Sequence, residues 1–191
     1  MDGMAIEWVG AAALAVLTAW QGYLFGVRQE RDKERRARDF TAATELVAPL
    51  RELQRLLRWF GREQMSKDEV ASAFLGWSTA FDQHGHRLPR QWQHVDRSVR
   101  AAAGTVFGGI SLIHIRPDSN RMDLGEPDAM WQDYADDYLG YIARCIQNWG
   151  DTARDLPKVV ANYDVWLVQT ERREPFGQNS SGSGDLASHD G

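Results

Sequence analysis

A single cysteine, Cys145, stands in 191 residues, so no intrachain disulfide holds this fold, which agrees with a reducing cytoplasm. Cys145 sits among apolar residues with no positioned His or Asn to activate it. It reads as a small buried hydrophobe rather than a nucleophile. Lysine is nearly as scarce: Lys33, Lys67 and Lys158 are the lysines among 22 basic residues, a usage associated with GC-rich bacterial genomes. The chain has no Walker loop, no Gly-x-Ser-x-Gly, no Cys-x-x-Cys, no His-Glu-x-x-His and no dinucleotide fingerprint. Gly104, Gly108 and Gly109 follow no strand, so close helix packing explains them better than a phosphate cradle. The formal net charge is −5 and no basic face stands out beyond the N-terminal region, which argues against nucleic acid as a partner.

The most consequential absence is of charge near the N-terminus. No Lys or Arg precedes Arg28, and residues 8–27 carry no charge at all. That stretch, WVGAAALAVLTAWQGYLFGV, would span roughly 30 Å as a helix, the thickness of one hydrocarbon core. Trp8 lies near one end and Trp20 and Tyr23 toward the other, a loose aromatic belt. Gln21, the strongly polar side chain inside the stretch, lies close enough to the basic end to reach the headgroups.

Six basic residues follow at once: Arg28, Arg31, Lys33, Arg35, Arg36 and Arg38. By the positive-inside rule the N-terminus is then outside, and everything after Val27 is cytoplasmic at the plasma membrane. A cleaved signal peptide would need a basic n-region and a small-residue site, whereas this n-region is acidic and the stretch runs on into Arg28. A buried amphipathic helix would show a polar face, and between Trp8 and Ala19 only Thr18 is polar. The basic run from Arg28 to Arg38 also suits anionic lipid headgroups, at about 1 kcal/mol per basic residue near the surface, less repulsion from the interleaved acids.

Beyond the anchor the periodicity is helical throughout. Ala43, Leu46, Leu50, Leu53, Leu57 and Phe60 recur at steps of three and four. Pro49 interrupts this stripe and predicts a kink or a fresh start. Gly61 marks a break, and Ser66 to Glu69 form a capping box for a helix reaching about Phe81. A loop over 83–88 precedes a helix opened by Pro89 that buries Trp92, Val95, Val99, Ala102 and Val106, with Arg90, Arg97 and Arg100 on other faces. Residues 110–126 read as a connection lying over the bundle.

Pro127 opens a helix with an inward stripe of Trp131, Tyr134, Tyr138, Tyr141, Cys145 and Trp149, closed by Gly150 as a cap. The last helix starts near Asp155, Leu156 and Pro157 and buries Leu156, Val159, Val160, Tyr163, Trp166 and, at its far end, Thr170. The polar tail lacks a core-forming pattern and reads as disordered. Eight tryptophans are expected to fill the small core.

The fold class is therefore all-α: one N-terminal transmembrane helix followed by a cytoplasmic bundle of four to five helices. The divisions are 1–7 outside, 8–27 in the membrane, 28–41 a charged juxtamembrane helix, 42–174 the bundle and 175–191 the tail. Two clusters could carry chemistry. Asp82, His84 and His86 form an Asp-x-His-x-His pattern that His94 or Asp96 would have to complete as a metal site. Asp133, Asp136 and Asp137 share a helical face but lack the Glu-x-x-His of di-metal bundles, so they should point to water. Neither earns assignment as a catalytic, cofactor or metal site. The expected function is a binding or scaffolding module at the membrane, with an unidentified protein partner or self-association through the stripe from Ala43 to Phe60. A membrane-tethered metal-dependent hydrolase built on the two clusters is the competing reading.

Overall fold

The computed structural model describes the backbone of residues 3–62, 65–151, 157 and 159–173, with the side chains of 3–19, 21–25, 120 and 171–173 left out. Among the described residues the protein is all-helical: α1 Gly3–Trp59, α2 Lys67–His84, α3 Val95–Phe107, α4 Ala129–Gly150 and α5 Tyr163–Arg173, joined in part by short 3-10 turns. The predicted disordered tail over 175–191 lies outside the described residues.

One helix of 57 residues, α1, serves both predicted N-terminal regions and the start of the bundle. At 1.5 Å per residue it is about 85 Å long. From Arg28 to Arg38 every residue is exposed, and from Ala42 on the helix becomes the strut of the bundle. The predicted boundary at 41/42 is thus a change of surroundings, not of backbone. Among the described residues no helix is long and apolar enough to cross a membrane. The side chains of 8–27, apart from Trp20, Gly26 and Val27, lie outside those residues, so the transmembrane expectation rests on sequence alone.

Of the kink or fresh start predicted at Pro49, the fresh start does not occur: α1 runs through it. Proline has no N–H for the Glu45 carbonyl, but Glu45 and Ala48 are exposed, where water can satisfy that oxygen. Leu46, Leu50 and Leu53 on the opposite face are fully buried. At about 2 kcal/mol for each buried leucine, packing on either side outweighs the defect.

α1 packs most extensively against α4 and then α2, while α3 lies on α4 and α5 touches α3 and α4. The stripe at Ala43, Leu46, Leu50, Leu53, Leu57 and Phe60 is buried within this one chain, so it is not available for self-association. Trp77, Trp92, Tyr138, Phe74 and Phe107 are the largest fully buried side chains. Phe107 meets Phe60 and Phe74 edge-on, at centroid distances of 5.1 and 6.1 Å. Trp131, Trp149 and Trp166 only border the core, and Trp20 and Trp59 are exposed, so the tryptophans fill the core only in part.

The caps explain most helix starts. Ser66 accepts from the Glu69 N–H at 3.1 Å, as the capping pattern requires, while the Glu69 carboxylate accepts from Arg55. α4 starts two residues after Pro127, because Asp128 takes the cap and accepts from the Met130 and Trp131 N–H groups. α3 starts at Val95 rather than Pro89, since 89–92 are used by a 3-10 turn that drives Trp92 into the core.

Two faces differ from the sequence pattern. On α4 the buried set is Ala135, Tyr138, Leu139, Ile142, Ala143, Cys145 and Ile146; Trp131, Tyr134, Tyr141 and Trp149 are half-buried shoulders. Rings with polar tips sit at the rim of a core, where the tips reach partners: the Tyr141 hydroxyl accepts from the Ala161 N–H at 3.2 Å. The last helix begins at Tyr163, and Val159 is 63% exposed rather than buried. Tyr138 donates to the Ala161 carbonyl at 3.0 Å and so ties down this approach to α5. The residues around Leu156, where that helix was expected to begin, lie outside the described ones.

Candidate functional site

Neither cluster singled out by spacing forms a metal site among the described residues, although Asp133, Asp136 and Asp137 line one open cleft with Tyr134 and Thr170. Asp82, at the exposed end of α2, lies 3.4 Å from His114. His84 ends α2, and His86 sits two residues on in the Gly85–Arg87 turn. His94 has its Nε2 enclosed without a hydrogen-bond partner among the described residues. Asp96 is turned away to accept from Trp77 Nε1 at 2.9 Å and from Arg100 Nε at 3.0 Å. Among the described residues no group of three or more His, Cys, Asp or Glu is placed to hold a metal ion.

The aspartates of α4 differ from expectation in one respect. Asp133 and Asp137 are exposed, but Asp136 is half-buried and accepts from Gln54 at 3.0 Å and Arg58 at 2.9 Å. It is a fastening between α4 and α1. Beside it, Asp136 lowers the free energy of the charged Arg58 guanidinium and pushes its pKa up. Cys145 is free and buried, and burial raises its thiol above the ordinary value against smaller lowering contributions from Tyr141 and Arg144. A raised thiol pKa is the opposite of what a nucleophilic cysteine needs.

Sequence reasoning missed a buried ionic network. Arg100, expected off the inward stripe of its helix, is itself buried at 4% exposure. It binds Asp96, donates to Ser78 Oγ at 2.6 Å and to the Ser111 carbonyl at 3.3 Å. Ser78 in turn donates to the Phe74 carbonyl. The legible signal was the acid–base pair four residues apart, Asp96 and Arg100. The network locks α2, α3 and the segment after Gly108 together.

A charged cleft of about 550 Å³ opens between α1 and the Gly85–Arg87 turn. It is lined by Arg31, Glu34, Arg35, Arg38, Asp39 and the pair His86 and Arg87. One wall follows from helical spacing. Arg31, Arg35 and Arg38 continue, at steps of four and three, the face that carries Ala42 and Leu46 into the core. Where the bundle ends, that face overhangs the turn. The other wall is held from below: Leu88 is buried, the Leu88 N–H donates to the Gly85 carbonyl at 3.1 Å, and a side chain added at Gly85 would meet the Phe81 ring. The turn therefore presents His86 and Arg87 toward α1.

Within the cleft Arg38 is bonded to Glu34 at 3.0 Å, and Arg35 lies 3.8 Å from Asp39. Arg31 and Arg87 have no ion-pair partner among the described residues. Guanidinium groups donate hydrogen bonds and keep their protons, so the chemistry that Arg31 and Arg87 offer here is hydrogen-bond donation to an anion. On the α4 side of α1, a smaller cleft of about 270 Å³ is lined by Phe40, Ala43, Thr44, Val47 and Ala48, with Gln147 and Asp151 at the end of α4. Phe40 in it is 55% exposed. Comparison with known proteins finds no family model, no curated protein and no solved structure that matches the chain.

Proposed function

We propose that this chain is a single-pass membrane protein, N-terminus outside, whose helical bundle is a binding or scaffolding module held at the cytoplasmic face of the plasma membrane. The observation that supports this reading is the continuity of α1. The same unbroken helix carries the uncharged stretch 8–27, the exposed basic run and the leucine stripe of the core. A helix crossing lipid satisfies its backbone internally, and here it would pass its orientation to the bundle without a flexible joint. The basic run would contact anionic headgroups. The hydrolase reading finds less support, because no group of three or more His, Cys, Asp or Glu among the described residues is placed to hold a metal ion.

The test is extraction and topology in the native host. A reporter fused after Gly191 should give a cytoplasmic signal, in a membrane fraction that resists alkaline carbonate. A soluble protein, or an external signal, would overturn the reading.

A further inference from the structure

We infer that the cleft between α1 and the Gly85–Arg87 turn seats the phosphate of an anionic phospholipid headgroup, with Arg31 and Arg87 closing on it from opposite walls. The inference rests on the membrane reading above and assigns to it a ligand and a second wall that the basic run alone does not supply.

Four guanidiniums face two carboxylates in this cleft, and both carboxylates already have an arginine on their own helix, Arg38 for Glu34 and Arg35 for Asp39. The positive charge left over is that of Arg31 and Arg87, on separate elements, each without an ion-pair partner among the described residues. Two guanidiniums across a gap match the tetrahedral oxygens of a phosphate, which accept paired N–H donors.

The depth fits as well. Arg31 follows Val27 by four residues, about 6 Å along the axis, and the headgroup layer is roughly 5–8 Å thick on each side. Arg35 and Arg38, which line the same cleft as the turn, follow Val27 by about 12 and 16 Å along the axis, and the ordinary helix tilt of about 20° together with the length of an arginine side chain would close that distance. The volume, about 550 Å³, admits a headgroup. With Arg87 engaged, the bundle would be held by two points rather than by α1 alone.

The experiment uses the full chain in vesicles of phosphatidylcholine, with and without phosphatidylglycerol, and reads amide hydrogen exchange in peptides covering 28–38 and 83–93. Phosphatidylglycerol should slow exchange in both segments together. Arg87→Ala should raise the phosphatidylglycerol fraction needed about fivefold, the worth of one interfacial basic residue. It should weaken protection on α1 as well, and Arg31→Ala should weaken protection of the turn. Arg90→Ala, an exposed arginine outside the cleft, should change neither.

Protection confined to 28–38 and insensitive to Arg87→Ala would overturn the two-walled seat. Equal protection by inorganic phosphate over phosphatidylcholine vesicles would overturn the lipid as occupant in favour of a soluble anion. Release of the chain from phosphatidylcholine vesicles by alkaline wash would overturn the anchor and with it the headgroup. Retention without any effect of phosphatidylglycerol would overturn the seat alone.

Discussion

At the scale of single residues, two positions carry more of the fold than their chemistry suggests. Gly150 has the place of a capping glycine but not the backbone of one; among the described residues only Gly61 and Gly108 take positive φ. A Cβ there would collide with the Ala43 Cβ on α1, so its hydrogen is the contact surface of the α1–α4 crossing. Gly150→Ala should destabilise the bundle by about 1–2 kcal/mol, overpacking exceeding the roughly 0.5–1 kcal/mol gained from helix propensity. Chemical denaturation would read it, and Ala43→Gly in the same chain should restore part of the loss.

Arg100 is the second. Arg100→Met would leave the Asp96 carboxylate and the Ser111 carbonyl without their cation. About 3 kcal/mol should be lost, the low end for a buried pair because the Asp96 side chain keeps 27% exposure. The double variant Arg100→Met with Asp96→Leu should recover much of it, and a double-mutant cycle by denaturation would show the coupling.

At the scale of elements, α1 shows how packing overrides a local rule. Pro49 removes one hydrogen bond on a face that water reaches, and the leucines around it keep the helix in register. Pro49→Ala restores the N–H for Glu45 and keeps every buried contact. The bundle should therefore gain about 1–3 kcal/mol, read as a higher denaturation midpoint; a loss would mean that the defect is built into the native shape. The seam of α4 with α5 shows the complementary effect, in which rings placed at a rim recruit backbone. Tyr138 and Tyr141 bracket Ala161, and Tyr138 meets Tyr163 and Trp166 edge-on at 5.1 and 5.4 Å. That seam could not be read from spacing, because the ordered approach to α5 is irregular chain held by side-chain hydroxyls.

At the scale of the whole molecule, this seam sets the response to alkali. Burial pushes the Tyr138, Tyr141 and Tyr163 hydroxyls and the Cys145 thiol above their ordinary values. As pH rises past the ordinary thiol value of 9.0, the unfolded chain gives up these protons before the native one. It then binds fewer protons, so stability falls with rising pH. The contribution is fully present below pH 9.0 and is lost progressively through the ordinary phenol value of 10.0 and above. Thermal unfolding from pH 7 to 11 should show a falling midpoint, and Cys145 should resist alkylation until the bundle unfolds.

What the amino-acid order determined by itself was everything governed by short-range periodicity. Leucines at steps of three and four made the core face of α1, Ser66 capped α2, Gly61 marked the end of α1, and an all-helical chain followed. The uncharged stretch 8–27 and its basic flank were legible for the same reason, being properties of neighbouring residues. Tertiary structure alone decided the rest, because each remaining feature depends on what another element places opposite. It buried Arg100, turned Gly150 from a cap into a contact, carried α1 through Pro49 and separated Asp82, His84 and Asp96. It also set Arg87 against Arg31, fifty-six positions apart in the chain, where only the overhang of a helix face beyond the end of its own bundle brings them to one cleft.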